Sequence, residues 1–312
     1  MSNAQRATSD EPGRNEGAME SGQIERGRIP VTIREWREEL SRRNEHFGSS
    51  ESYWCYVRPG VYRVGEWSKN QPSTPIVLPV FWMARFPVTV AQYASFVQNG
   101  YRSGAERWWT LQGWKWKVET TAMQPITWTD AGFNHPDQPV VGVTWYEAAA
   151  FAAWLREHLA EGLPRGYGVR LPTEAEWEIA AAYDAAMQRR WYPWGNEPPT
   201  PTQAVYAEGR WEHPSPIGTC PSGMAACGVQ DMAGNVWEWA TSSYAGYPAQ
   251  SNKRREDFVP GEWDVPVRGG SWLNEKTHIS CGSREGDFPD FGFRNTAIGF
   301  RVVVAPLLPQ GA

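Results

Sequence analysis

Residues 170–178 read Arg-Leu-Pro-Thr-Glu-Ala-Glu-Trp-Glu and run on as Ile-Ala-Ala-Ala-Tyr to residue 183. Thr173 precedes Glu176 by three places, so its hydroxyl can accept from a first-turn N–H while the carboxylate reaches back to the cap. That reciprocal arrangement, with an apolar face behind it, predicts a helix. The same start recurs at Thr32 with Glu35, Thr89 with Gln92 and Thr144 with Glu147. Outside these stretches the apolar runs are short and punctuated by Pro and Gly, at 56–60, 76–79, 266–272 and 299–304. They predict short strands joined by tight turns. Residues from about 100 to 140 and from about 190 to 260 carry Trp, Pro and Gly throughout and read as long loops.

The chain has 312 residues, 41% of them hydrophobic and 21% charged, with a net charge of -5, which disfavours collagen-like, disordered and strongly basic nucleic-acid-binding classes. Nineteen Trp beside 30 Gly and 25 Pro point to a loop-rich body built around large indole anchors. No run approaches the roughly 18 apolar residues of a membrane span, and the N-terminus lacks the apolar segment of a signal peptide. A cytoplasmic protein with no membrane partner and no nucleic-acid partner is expected. Residues 1–30 hold no aromatic residue and are expected to be a flexible leader. Residues 31–53 follow as a short helix and connector. Cys55, Cys220, Cys227 and Cys281 form no Cys-x-x-Cys pair and are read as buried thiols.

Six segments then occur in a recognisable order. They are Phe86-Pro87-Val88-Thr89 leading to Tyr93; Pro139-Val140-Val141-Gly142-Val143-Thr144-Trp145 with Ala148; and the opening stretch 170–178. Gly234-Asn235-Val236-Trp237-Glu238-Trp239, Arg268-Gly269-Gly270-Ser271-Trp272 and Gly299-Phe300-Arg301 complete them. Together they resemble the formylglycine-generating enzyme (sulfatase-modifying factor) family over about 54–305, leaving 306–312 as a tail. The resemblance implies an α+β fold, the variant of the C-type lectin fold found in that family. Such a domain is mostly irregular, with short antiparallel strands and two main helices.

Function does not follow from the fold, because the superfamily serves cysteine oxidation, sulfur transfer onto histidine betaines, and display. In the oxidase branch two cysteines five residues apart hold copper(I), a soft ion that demands thiolates. The resemblance puts those positions at Asn274 and Ile279, so no copper is expected. Cys281 lies two places beyond and is the candidate catalytic residue only if the chain is enzymatic. That alternative is a formylglycine-generating-like oxidoreductase acting on a peptide or small thiol. The sulfoxide-synthase branch uses a three-His iron site, whereas the five histidines here, His46, His135, His158, His213 and His278, are scattered.

The stretch 231–238 offers carboxylates at Asp231 and Glu238, with backbone carbonyls between them, and hard oxygen ligands of that kind suit Ca2+. The resemblance implies a structural calcium site using the side chains of Asp231 and Glu238 and the carbonyls of Gly234 and Val236. The alternative is that the two carboxylates cap loop N–H groups without a metal.

From 273 to 298 the side chains follow no apolar period between anchors such as Trp272, Arg284 and Arg301. A rigid frame holding arbitrary side chains suits recognition, because preorganised loops lose little entropy on binding. This frame resembles the variable region of retroelement-diversified lectin-fold proteins. The expected function is therefore non-catalytic binding of a protein or peptide ligand, in a finer version as the variable protein of a diversity-generating retroelement. Candidate contacts are Asn274, Glu275, Lys276, His278, Asp287, Phe288, Asp290, Phe291 and Phe293. The Phe residues read equally as hot spots or as packing under a loop. Trp108, Trp109, Trp114 and Trp116 allow sugar stacking, with loop anchoring the plainer reading.

Overall fold

The computed structural model describes residues 29–68, 73–241, 265–287 and 296–308; nearly all of the expected leader lies outside them. The four anticipated helices are present: α1 (Ile33–Ser41), α2 (Val90–Gly100), α4 (Trp145–Leu159) and α5 (Glu174–Ala182). In each, the Thr hydroxyl accepts from the N–H three residues on, and the Glu or Gln side chain accepts from the cap N–H. Two first-turn donors are satisfied at each start, which fixes where the chain turns into helix. A fifth helix, α3 (Leu111–Glu119), stands where a loop was expected. Its cap, Thr110, accepts from Gly113 N–H, and the glycine at that position has no side chain to close the reciprocal bond.

Among the described residues the strands form three small sheets. In the first, β1 (Trp54–Val57), β4 (Phe81–Ala84), β10 (Val303–Pro306) and β5 (Tyr167–Arg170) lie antiparallel in that order. The second is a hairpin of β2 (Gly60–Gly65) and β3 (Ser73–Leu78). The third runs β8 (Arg284–Asp287), β7 (Val265–Arg268), β6 (Trp237–Trp239) and β9 (Ile298–Gly299), with β6 and β9 parallel. This is the α+β, loop-rich architecture anticipated, with α2 and α4 as its longest helices.

The aromatic residues make the core. Tyr93 of α2 stacks on Phe151 of α4 at 5.2 Å, and Phe300 meets both rings edge-on. Face-offset and edge contacts of this kind add to what the buried area already contributes. The capping-box glutamate of α4 also ties the two helices together, since the second oxygen of Glu147 accepts from Tyr101, whose hydroxyl lies 3.0 Å from that of Tyr93. Trp108 and Trp109 are buried, with their N–H groups on Glu157 and the Gly100 carbonyl. Their indoles are loop anchors. No helix among the described residues is long and apolar enough to cross a membrane.

Candidate functional site: an indole-walled cleft over a buried ion-pair layer

All nine residues of α5 are buried, although three are glutamates. Each carboxylate therefore needs a strong partner. Glu176 accepts from both terminal nitrogens of Arg170, at 2.7 and 2.6 Å. Glu174 bridges two arginines from the third sheet, Arg268 at 3.2 Å and Arg284 at 2.6 and 3.1 Å. Glu178 accepts from Arg268 at 3.0 Å and from the Gly65 N–H. Arg268 reaches further, to the Cys281 carbonyl at 2.9 Å, and lies over the Trp177 ring. One ion-pair layer thus joins α5, β7, β8 and the loop carrying Cys281.

Above this layer opens a cleft of about 590 Å3. Trp67 and Trp191 form one wall, in edge contact at 5.5 Å, and Trp237 also lines the space. The segment 277–285, including His278, Ser280, Arg284 and Glu285, completes the lining, with Gly282 packed against Trp67 and the Cys281 N–H donating to the Trp191 carbonyl. That segment is held by the glycine pair after Arg268. Gly270 has φ +79, and a Cβ there would collide with the His278 carbonyl, so the tight return that presents the wall requires glycine.

The expected contact residues divide. His278 lines the cleft and is exposed, with Nδ1 3.0 Å from the Thr277 hydroxyl. Asn274 instead holds the turn: its Oδ1 accepts from the backbone N–H and hydroxyl of Ser271. Glu275 and Lys276 are exposed, and Lys276 lies 3.7 Å from Glu208. Asp287 is the last residue of β8, while Phe288, Asp290, Phe291 and Phe293 fall outside the described residues. Trp67, Trp191 and Glu285 were not singled out in the sequence. Trp67 and Trp191 are 124 positions apart (191 − 67) and share no motif, so only the fold brings them together.

The two positions that would hold copper are filled by Asn274, engaged in its turn, and Ile279, fully buried and apolar. Cys281 is fully buried, and burial first, then the Glu178 carboxylate, pushes its thiol well above the ordinary range. A neutral, enclosed thiol is neither a ready nucleophile nor a ready soft-metal ligand. All four cysteines are buried and unbridged.

The calcium expectation meets a different obstacle. Glu238 is fully buried, and its two oxygens accept from Arg301 Nε and Nη2, each at 2.6 Å, and from Trp177 Nε1 at 2.8 Å. A guanidinium therefore occupies the carboxylate face that a divalent cation would need. Asp231, in the left-handed region at φ 57, accepts from the Gly218 N–H at 2.8 Å. Gly234 is itself left-handed because a Cβ would strike the Val205 carbonyl, and Val236 is buried. This set does not fit the predicted calcium site, since its one fully buried carboxylate is neutralised by arginine. No group of three or more His, Cys, Asp or Glu able to hold a metal comes together among the described residues.

Comparison with known proteins places this geometry in a family. The chain is 36% identical over 235 residues to the hercynine oxygenase of Mycobacterium tuberculosis, covering 70% of this chain and 52% of that protein. It is 29% identical over 288 residues to the formylglycine-generating enzyme of Thermomonospora curvata, covering 76% and 86%. The chain spans about half the length of the hercynine oxygenases it matches. Among solved structures, Treponema denticola variable protein 1 superposes with a TM-score of 0.59 at 19% identity, covering 81% of this chain and 95% of that one. PvdO from Pseudomonas aeruginosa gives 0.60 at 21%, covering 84% and 100%. The model of the sulfatase-modifying factor enzyme 1-like domain matches residues 40–306, and the chain belongs to that family.

Proposed function

We propose that this protein is a recognition module that binds a peptide or protein segment in the cleft between Trp67, Trp191 and residues 277–285, without transforming it. One observation carries the reading: the positions that would supply copper thiolates hold Asn274 and a buried Ile279, and the neighbouring Cys281 thiol is enclosed and neutral. The cleft supports it as well, since indole walls over a rigid ion-pair layer form a preorganised surface that loses little entropy on binding. In the finer version the segment 273–298 is the variable region of a retroelement-diversified protein, a use suggested by the name of the Treponema denticola neighbour. A near-identical repeat of its coding DNA, differing at adenines, is the observation that version requires.

The 36% identity to hercynine oxygenases favours a second reading, that the chain is the substrate-binding portion of an oxygenase. Its metal ligands would have to come from beyond the described residues. Incubation with copper, oxygen and a Cys-containing sulfatase peptide, followed by mass spectrometry, separates binding from thiol oxidation. Unchanged peptide is expected. Aldehyde formation that disappears in Cys281→Ser overturns the non-catalytic reading in favour of the oxidoreductase alternative. Oxygenation of hercynine by iron-loaded protein with a thiol co-substrate overturns it in favour of the second reading.

A further inference from the structure

We infer that helix α3 and the turn after it form a seat for an anionic lipid surface, apart from the cleft and independent of the binding reading above. Leu111, Val118, Met123 and Ile126 are 84, 56, 55 and 58% exposed. Single exposed apolar residues need no account, whereas a group of large ones close together marks an interaction surface. Leu111, Lys115 and Val118 recur at i, i+4 and i+7, so they share one face of α3. The other face is rooted on the start of α4. Gly113 packs against Tyr146, and Trp116 stacks on Trp109 at 6.5 Å and meets Tyr146 at 6.4 Å. Ile126 reaches the same end of α4, since a Cβ on Gly142 would meet its Cγ2. The apolar side chains therefore project from a fixed mount.

Charge decides what covers them. Lys115 and Lys117 flank the stripe Leu111–Trp114–Val118; Lys115 is 67% exposed, and Lys117 Nζ lies 5.0 Å from the Trp114 ring. Glu119 reaches Lys115 only at 3.9 Å, and α3 carries two Lys against one Glu on a chain whose net charge is -5. A second copy seated on this stripe would set Lys115 against Lys115 if antiparallel and against Lys117 if parallel, so like charges oppose self-association. Leu111 projects into solvent instead of lining a trough, and a fluid acyl layer closes around such a side chain without a complementary pocket. The lysines then reach anionic headgroups, and the half-buried indole of Trp114 suits the level between them and the acyl chains. The expectation of no membrane partner rests on the missing span, which a surface seat does not require.

The test is cosedimentation of the full chain with phosphatidylcholine vesicles, with and without phosphatidylglycerol. Binding to the phosphatidylglycerol vesicles is expected, about tenfold tighter than to phosphatidylcholine alone. Leu111→Gln with Val118→Gln should weaken it about tenfold, and Lys115→Gln with Lys117→Gln should reduce the preference for phosphatidylglycerol. Val61→Gln with Val77→Gln alters an exposed cross-strand pair on the β2–β3 hairpin and should bind as the parent does. All six side chains lie at the surface, and circular dichroism checks that each variant folds. Failure to sediment with phosphatidylglycerol vesicles overturns the inference, as does an equal loss in the hairpin variant. A dimer in sedimentation velocity that Leu111→Gln with Val118→Gln dissolves assigns the face to a second copy and also overturns it.

Discussion

Glu238 and Arg301 meet through two parallel hydrogen bonds of 2.6 Å, with both side chains buried beneath the β6–β9 pairing. Arg301 also donates to the carbonyls of Ala84, Arg85 and Gln230, so one guanidinium ties the third sheet to the first. Removing a single partner of a buried pair strands the other charge. Glu238→Gln is expected to cost about 3–5 kcal/mol, read as a shifted urea midpoint with the slope unchanged. A loss below about 1 kcal/mol would mean that the pair is solvated in solution.

Because that arginine holds the carboxylate a cation would need, chelation should leave stability untouched. The melting temperature in excess EDTA is expected to match that in millimolar calcium. A fall of several degrees on chelation, abolished by Asp231→Ala, would establish the calcium site that the family resemblance implies.

Alkaline pH should find a weak point in the second core cluster. Burial pushes the Cys55 thiol up to about 12 from an unfolded value near 9 and also raises Cys227, both against the same apolar neighbours. A raised folded value means that the unfolded chain releases its proton first as pH climbs. The thiol contribution is therefore fully present below about pH 9 and is lost between about 9 and 12. Denaturation midpoints should be level from pH 7 to 8.5 and fall above 9, with Cys55→Ala reducing the slope. An unchanged slope in that variant would assign the alkaline loss elsewhere.

Helix starts were legible because a capping box is local: Thr173 and Glu176 satisfy each other whatever surrounds them. Where the local signal is incomplete, as at Thr110 with Gly113, the stretch carries no helix start in sequence. Strand β4 escaped for another reason. Its four residues are all buried, so no alternation of polar and apolar side chains marks it. The cleft was the least readable feature. Its 277–285 wall is partly anticipated through His278, but the indoles Trp67 and Trp191 come from distant stretches that no spacing connects. The partner of Glu238 is not legible either, because an Asp…Glu spacing looks the same whether its oxygens face a cation or an arginine 63 residues away.

The ion-pair layer beneath the cleft makes the final contrast, between two glutamates on either side of Arg284. Glu174 accepts from Arg284 and Arg268 together, and its side chain is almost wholly buried. Glu285, the next residue in β8, is exposed and outside that network. Glu174→Gln leaves two guanidinium groups competing for one neutral amide in a dry site, and a cost of about 3–5 kcal/mol is expected. Glu285→Gln should stay within about 0.5 kcal/mol of the parent, as exposed substitutions do. Urea titration of both variants measures the difference directly. Similar losses in the two would show that Glu285 belongs to the structural layer, and would remove it from the rim of the binding cleft.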